Sequence, residues 1–373
     1  MTCSNNSIDA TFTIRWSHKL RFTDSAFAKG DALDSLLSTL NPLKILLVVD
    51  RGLATSNQSF NNDLHKWCKR MDNICEEPIV VTGGESAKNN FDVVNTVLEA
   101  INNNNLCRKS CVIVIGGGAV LDAVGFAAST AHRGLPIIRM PSTTLSQGDS
   151  GVGVKNGVNY FGKKNFVGVF DPPYAVVNDS SLLQSLDKSQ WRSGLSEAIK
   201  VALIKNESLF EEIEAHANLL LARDSDAMVS ILQQSAKLHL RHITDGGDPF
   251  ERLNARPLDF GHWAAHKLEQ LSNYTITHGD AVAIGLSIDV LCSVRLGLLD
   301  KAVAMRIISL LETLGFPTNH SELTNPDFLT GIEEFRQHLG GQLTLLMLKG
   351  IEEPTEIHRL DYEVVRQVIN ELR

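Results

Sequence analysis

Two histidines four residues apart, His262 and His266, sit in Asp259-Phe260-Gly261-His262-Trp263-Ala264-Ala265-His266, and a third, His278, opens His278-Gly279-Asp280. Four-residue spacing puts His262 and His266 on one face of a helix. Two or three imidazoles with a carboxylate suit Zn2+ held with one position open for substrate. A carboxylate candidate is Glu197, one turn from Lys200 in Ser196-Glu197-Ala198-Ile199-Lys200. Plainer readings stay open: histidines at the edge of a core, and a surface ion pair one helical turn apart.

Other segments carry residue types that hold nucleotides and phosphates. Gly116-Gly117-Gly118-Ala119-Val120-Leu121-Asp122 follows a β-branched run and opens a helical pattern. Glycines there let backbone amides approach a pyrophosphate, and a helix N-terminus adds positive potential. A tight turn fits as well, because the segment is not the G-x-G-x-x-G fingerprint. Asp50 ends another apolar run, where it can accept ribose hydroxyls. Arg139-Met140-Pro141-Ser142-Thr143-Thr144 ends a third with hydroxyls that can bond a nucleotide or cap their own turn. After Asp149, the glycine-rich stretch bearing Lys155, Asn156, Asn159, Lys163, Lys164 and Asn165 can cradle a phosphate or form a solvated loop.

Elements must position these residues. Apolar runs at 44–50, 78–82, 111–115 and 135–140 read as buried strands, with helices at 59–71, 91–102 and 119–131 between them. Such alternation predicts a parallel sheet covered on both faces, whose ligands gather at the carboxyl ends of its strands. Three of those ends carry Asp50-Arg51-Gly52, Gly83-Gly84-Glu85 and Gly116-Gly117-Gly118. The alternating text of 151–160 predicts a hairpin leading away from the sheet. Helical periodicity then takes over, with helices expected at 190–204, 207–222, 226–243, 260–271, 280–296, 301–314 and 362–372. The expected fold is α/β, a Rossmann-like parallel-sheet domain over 1–178 and an all-helical domain over 179–373.

Composition narrows the function class. The chain has 373 residues, 43% hydrophobic and 21% charged, with a net charge of −8. An acidic chain without a basic tract is a poor partner for nucleic acid or anionic membrane. No apolar run approaches the roughly 18–20 residues that span a bilayer, and the polar start lacks the apolar core of a secretory signal. Six scattered cysteines without a CxxC pair read as reduced thiols. A cytoplasmic enzyme is the expectation.

Taken together, the segments resemble the dehydroquinate synthase superfamily, the sugar phosphate cyclases. The resemblance runs from about Asp50 to Leu339-Gly340-Gly341. It is carried in order by GGGAVLD (116–122), HRG (132–134), PSTT (141–144), DSGVGVKNGVN (149–159), GKKNFVG (162–168), SEAIK (196–200), DFGH (259–262) and HGD (278–280). It implies a homodimer with NAD+ and Zn2+, or Co2+, between the two domains. By motif position it implies Glu197, His262 and His278 as metal ligands, and His266 as a substrate-contacting or proton-handling residue. Asp50, Glu85, Lys88, Gly117, Gly118, Asp122, Thr143, Thr144, Lys164 and Ser185 fall at NAD-contacting positions. Asp149, Lys155, Asn165, Lys200, Lys237, Arg256 and Asp259 fall around the substrate, and Arg133 is expected to reach the neighbouring subunit's site.

The implied chemistry is transient oxidation of a sugar-phosphate alcohol, β-elimination of phosphate, re-reduction, ring opening and intramolecular aldol closure. Within the superfamily, dehydroquinate synthase has a Leu-Asn pair where this chain reads Leu258-Asp259, and its nearby arginine is displaced to Arg256. Asp259 would repel a substrate carboxylate but accept from a hydroxymethyl group. With Glu334-Phe335-Arg336-Gln337-His338, this resembles the branch that cyclises sedoheptulose 7-phosphate to valiolone-type cyclitols. His266, where the 2-epi-5-epi-valiolone type is expected to carry proline, favours a 2-epi-valiolone-type product. The alternatives are 3-dehydroquinate synthase, a metal-dependent polyol dehydrogenase of the glycerol dehydrogenase type, and a non-catalytic binding protein.

Overall fold

The computed structural model describes residues 9–246, 250, 257–338 and 341–373. Its first half contains β1 (Leu20–Thr23), α1 (Ala32–Leu40), β2 (Ile45–Asp50), α2 (Arg51–Ser56), α3 (Gln58–Arg70), β3 (Ile79–Val81), α4 (Asp92–Asn103), β4 (Cys111–Gly116), α5 (Gly118–Thr130) and β5 (Ile137–Pro141). A hairpin of β6 (Lys155–Tyr160) and β7 (Lys163–Phe170) follows, then β8 (Ala175–Asp179). Six strands form one parallel sheet in the order β1-β8-β5-β4-β2-β3. Every residue of β2 and β4 is buried, and the side chains alternate between faces. Leu46, Val48, Val112 and Val114 meet α4 and α5, while Ile45, Leu47, Val49, Ile113 and Ile115 meet α1 and α3. Both faces are dry, so the runs carry no polar alternation. β1 was not evident from the sequence: its four residues, LRFT, are too short and polar to signal a strand alone, and pairing with β8 creates it.

The strand order reverses between β2, which leads outward to β3, and β4, which pairs on its other side. Ligand crevices open at such switch points. Asp50 and Gly116 end these two strands in contact; a Cβ added at Gly116 would lie 3.1 Å from that of Asp50.

The second half contains α6 (Lys188–Lys205), α7 (Glu207–Ala215), α8 (Ala217–Leu221), α9 (Ser225–Asp245), α10 (His262–Leu271), α11 (His278–Arg295), α12 (Lys301–Thr313), α13 (Thr330–His338) and α14 (Tyr362–Glu371). The single helix expected over 207–222 breaks at His216 into α7 and α8. This half is also not purely helical: β9 (Leu345–Gly350) and β10 (Glu353–Ile357) form an antiparallel hairpin. Its apolar run LLML is short enough to read as either element; packing of Leu345, Met347 and Leu348 into the helical core decides the matter. Among the described residues no helix is long and apolar enough to cross a membrane, and the described cysteines are free thiols.

The pair α10–α11 carries two of the candidate ligands and is locked by a backbone approach. A Cβ on Gly285 of α11 would lie 2.0 Å from the Gly261 carbonyl oxygen. Gly261 has φ 77°, and its N–H donates to Asp289 Oδ2 at 2.8 Å. Trp263 Nε1 donates to Asp289 Oδ1 at 2.8 Å. Burial pushes the Asp289 carboxyl up to about 7, with these two donors opposing the shift. Gly285→Ala is therefore expected to cost about 2 kcal/mol or more through overpacking against backbone, read as a lower urea midpoint. An unchanged midpoint would show that the two helices slide apart freely.

Candidate active site

Glu197 lies in mid-α6, His262 is the first residue of α10, and His278 the first residue of α11. Three elements far apart in sequence converge here. Their ligand atoms lie within 4.8 Å of one another. Glu197 Oε1 is 3.4 Å from His262 Nε2 and 3.2 Å from His278 Nε2. Atoms bonded to one tetrahedral Zn2+ are about 3.4 Å apart. Both histidines have their other nitrogen occupied. His262 Nδ1 donates to the Phe260 carbonyl at 3.1 Å, and His278 Nδ1 donates to Glu269 Oε1 at 3.0 Å. That fixes the tautomer and aims both Nε2 lone pairs at one point, as in metal-binding imidazoles. The donor set fits a divalent cation with an open position.

The surrounding charges point the same way. Burial opposes charge on His278, yet Glu269 and Glu197 outweigh it and raise the imidazole to about 9. Two carboxylates therefore demand positive charge between them. Glu197 is held well below its usual range despite burial, first by Lys200 and then by His262. The Glu197–Lys200 pair is not a surface bridge: both side chains are buried and in contact. Lys200 Nζ also lies 4.0 Å from Asp149 Oδ2. Asp149, likewise against burial, is held down at about 2 by Lys200 and then by His239, whose Nδ1 is 2.6 Å from Asp149 Oδ1. The His266 ring lies 5.4 Å from that of His262 and 6.4 Å from that of His278, outside the ligand triangle. Desolvation, then His262 and Lys164, push His266 well below its ordinary value, although its side chain stays accessible to solvent.

The expected dinucleotide residues divide into an open group and an engaged group. Asp50 caps α2 by accepting from Gly52 N–H at 2.7 Å. A Cβ at Gly83 would lie 2.4 Å from its carboxylate, so glycine permits that approach. Gly117 and Gly118 begin α5 with no side-chain cap, leaving first-turn amides for an anion. Thr143 is half-buried with its hydroxyl 2.7 Å from that of Ser146. Glu85 accepts from Asn159 at 3.0 Å, and Ser185 sits half-buried in the turn before α6. Lys88 is buried against Asp122 at 2.6 Å. Two of the expected residues have their side chains engaged within the protein. Thr144 is wholly buried, donating to Gln190 O at 2.8 Å and accepting from Gly194 N–H at 3.1 Å. It ties the β5 loop to α6 and leaves no hydroxyl for a nucleotide. Lys164 instead turns to Glu269, 2.8 and 3.0 Å away, and thus backs the His278 carboxylate.

Among the expected substrate residues, Lys155 and Asn165 lie exposed on the β6–β7 hairpin. Asn165 has φ 53°, held by its N–H donating to Asn159 Oδ1. Asn156 and Asn159 are buried braces: Asn156 accepts from Arg139 at 2.6 Å, and Asn159 donates to Glu85 and Asn89. Asp259 is half-buried and raises Lys200 by its charge, after Glu197 and Asp149. Lys237 is exposed with Nζ 5.6 Å from the Phe22 ring, on a different face of α9 from the one meeting Asp149. Arg256 lies outside the described residues. Arg133 is exposed beyond the C-terminal end of α5, roughly 20 Å along that helix from Gly117.

The sequence reading missed Glu269, His239 and Asp289. Glu269 had a signal, since 262, 266 and 269 share one helical stripe. Nothing local marks His239 or Asp289; each is picked out by what its helix packs against.

Comparison with known proteins identifies the family. The 3-dehydroquinate synthase N-terminal family model matches residues 78–193, and the 3-dehydroquinate synthase C-terminal model matches 194–336. A 2-epi-valiolone synthase from Actinosynnema mirum is 34% identical over 328 residues, covering 85% of this chain and 82% of the relative. A 3-dehydroquinate synthase from Halorhodospira halophila is 33% identical over 306 residues, covering 82% and 85%. The solved structure of a 2-epi-5-epi-valiolone synthase from Streptomyces hygroscopicus subsp. jinggangensis, with NAD+ and Zn2+ bound, superposes with a TM-score of 0.89. That match has 25% identity and covers 98% of this chain and 99% of the other. With two domain models matching in tandem across most of its length, the chain belongs to the 3-dehydroquinate synthase family.

Proposed function

We propose that this protein is a NAD+- and Zn2+-dependent sugar phosphate cyclase that converts sedoheptulose 7-phosphate to a valiolone-type C7 cyclitol with loss of phosphate. Bound NAD+ would take up and return a hydride, and bound Zn2+ would polarise the alcohol oxygen. Glu197, His262 and His278 would hold the metal, and Asp50 with the open amides of Gly117 and Gly118 would hold the dinucleotide at the β2/β4 crevice. The division at 178/179 would put both cofactors at the seam of the two domains.

The chain's own groups then have definite tasks. Asp149, ionised and paired on both oxygens, can accept from a sugar hydroxyl without itself taking the proton. Lys200 is held protonated: burial works against it, and Glu197 and Asp149 outweigh that. His266 is held neutral beside the metal ligands, so it can receive a proton from substrate. Lys155 and Asn165 would reach over the phosphate from the hairpin. Arg133, far from the cleft of its own chain, would reach the site of a second copy in a homodimer.

The observation that carries the choice of substrate is Asp259. Among the described residues Lys200 already answers the charges of Glu197 and Asp149, and Asp259 adds a further negative charge, which disfavours a substrate carboxylate there. A neutral hydroxymethyl group meets no such repulsion. The second reading, 3-dehydroquinate synthase, is favoured by the many relatives bearing that name. Incubation with sedoheptulose 7-phosphate and, separately, with the heptulosonate phosphate substrate of dehydroquinate synthase separates the two. Phosphate release and a C7 carbocycle by NMR are expected from the first sugar only, and Asp259→Asn is expected to slow that reaction. Release from the heptulosonate alone would establish the second reading, and NADH accumulation without phosphate release would indicate a dehydrogenase.

A further inference from the structure

The face that α9 turns to the cleft is set by spacing. Leu232, Ser235 and His239 fall on one stripe and pack against the turn Ser146–Ser150. A Cβ on Gly148 would meet Leu232 Cδ2 at 3.2 Å, and Ser235 Oγ donates to Gly148 O at 3.1 Å. His239, next along the stripe, brings Nδ1 to 2.6 Å from Asp149 Oδ1. A Cβ at Gly153 would lie 3.7 Å from Nε2, an ordinary contact distance, so the imidazole packs close to this part of the loop.

The backbone around Asp149 is fixed independently of this contact. Gly151 N–H closes the turn on Ser146 O at 2.9 Å, and Gln147 Nε2 donates to Pro141 O and Asp179 O. Buried Arg139 donates to Gly151 O, Gly153 O and Lys155 O. On the other side of the loop, His18 Nε2 donates to Val152 O at 2.8 Å. Burial first, then the charges of Arg139, His239 and Lys19, hold His18 down at about 4, so it stays neutral and acts as a plain donor. With the loop clamped, what remains free is the rotation of the Asp149 carboxylate. Among the described residues two groups pair with it: His239 on Oδ1 and Lys200, at 4.0 Å, on Oδ2.

We infer that His239 is a positioning residue for Asp149. Its Nδ1 faces Oδ1 at 2.6 Å as a close contact outside hydrogen-bond geometry, and this contact keeps the carboxylate from swinging onto Lys200 and withdrawing its other oxygen from substrate. Nothing covalent is asked of the imidazole. This inference rests on the proposed function only in taking Asp149 as a substrate contact; the pairing itself does not depend on which sugar is turned over.

The test uses the full-length holoenzyme and whichever sugar phosphate the wild type converts. His239→Ala is expected to lower kcat for phosphate release by about 10- to 100-fold, the usual range for a supporting residue, with zinc content unchanged and KM moved less than about threefold. His239→Asn places an amide donor near the Nδ1 position without an imidazole, and is expected to recover kcat to within about threefold of wild type. A His239→Ala kcat within twofold of wild type would overturn the inference, as would an Asn variant no faster than the Ala variant. A second readout needs no substrate: in histidine-labelled protein, the Nδ1–H resonance that disappears in His239→Asn should shift in Asp149→Asn. If it stays put, the pair does not form. Should neither sugar phosphate turn over, the proposed function fails while this resonance still decides the pairing, and it decides equally if His239→Ala does not fold.

Discussion

Glu197→Gln is expected to yield a folded protein that no longer retains metal and has lost most of its activity. The amide preserves volume at a side chain 1% exposed, so the substitution removes charge without opening a cavity. What disappears is the only anionic member of the ligand triangle, with Oε1 3.4 and 3.2 Å from the two imidazole nitrogens. A neutral amide is a poor ligand for Zn2+. Loss of the polarising cation removes several kcal/mol of transition-state stabilisation, so turnover is expected to fall about 10³-fold or more. Metal analysis of the purified variant checks the ligand role separately from the kinetics. His262→Ala should behave alike, and full zinc stoichiometry in both variants would end the assignment. Glu269→Gln should act more mildly on metal content, since it leaves all three ligands and weakens only the support of the His278 ring and of Lys164.

Lys200→Met is expected to be the most damaging change to stability. The ammonium is 3% exposed, touches Glu197 and lies 4.0 Å from Asp149. Methionine fills the space but leaves two buried carboxylates without their shared cation, a loss of about 3–5 kcal/mol for a broken buried pair. The pH dependence follows from the shifts. Asp149 is depressed to about 2 in the folded protein, below the ordinary aspartate value of about 3.9. Its contribution is therefore present above the unfolded value and is lost as pH falls through the folded one. Lys200 is raised, so its contribution is present below the unfolded value and lost as pH rises through the folded one. In the variant the carboxylates gain protons more easily, so the gap to wild type should be widest near neutrality and narrow below about pH 4. Urea midpoints of metal-stripped protein at pH 7.5 and about pH 3 test this. Equal midpoints at pH 7.5, or a gap that does not shrink, would show that Glu197 and Asp149 do not depend on Lys200.

Much of this protein is determined by sequence alone. The apolar runs 45–49 and 111–115 read as strands buried on both faces, because they are short, β-branched, bounded by turn signals and without a residue polar enough to face water. The candidate ligand residues were legible because the resemblance carried by DFGH, HGD and SEAIK points to them, and the fold brings their ligand atoms within 4.8 Å of one another. Tertiary structure decided what spacing does not encode. Thr144 and Lys164 looked free to meet a cofactor until α6 and Glu269 were folded against them. Lys237 was the lysine in the expected place, yet the stripe of α9 that meets Asp149 carries His239. A side chain's type limits what it can do, but whether its polar atoms are spent on a neighbour or left for a ligand depends on which distant segment packs beside it. That pairing is a property of the folded chain as a whole.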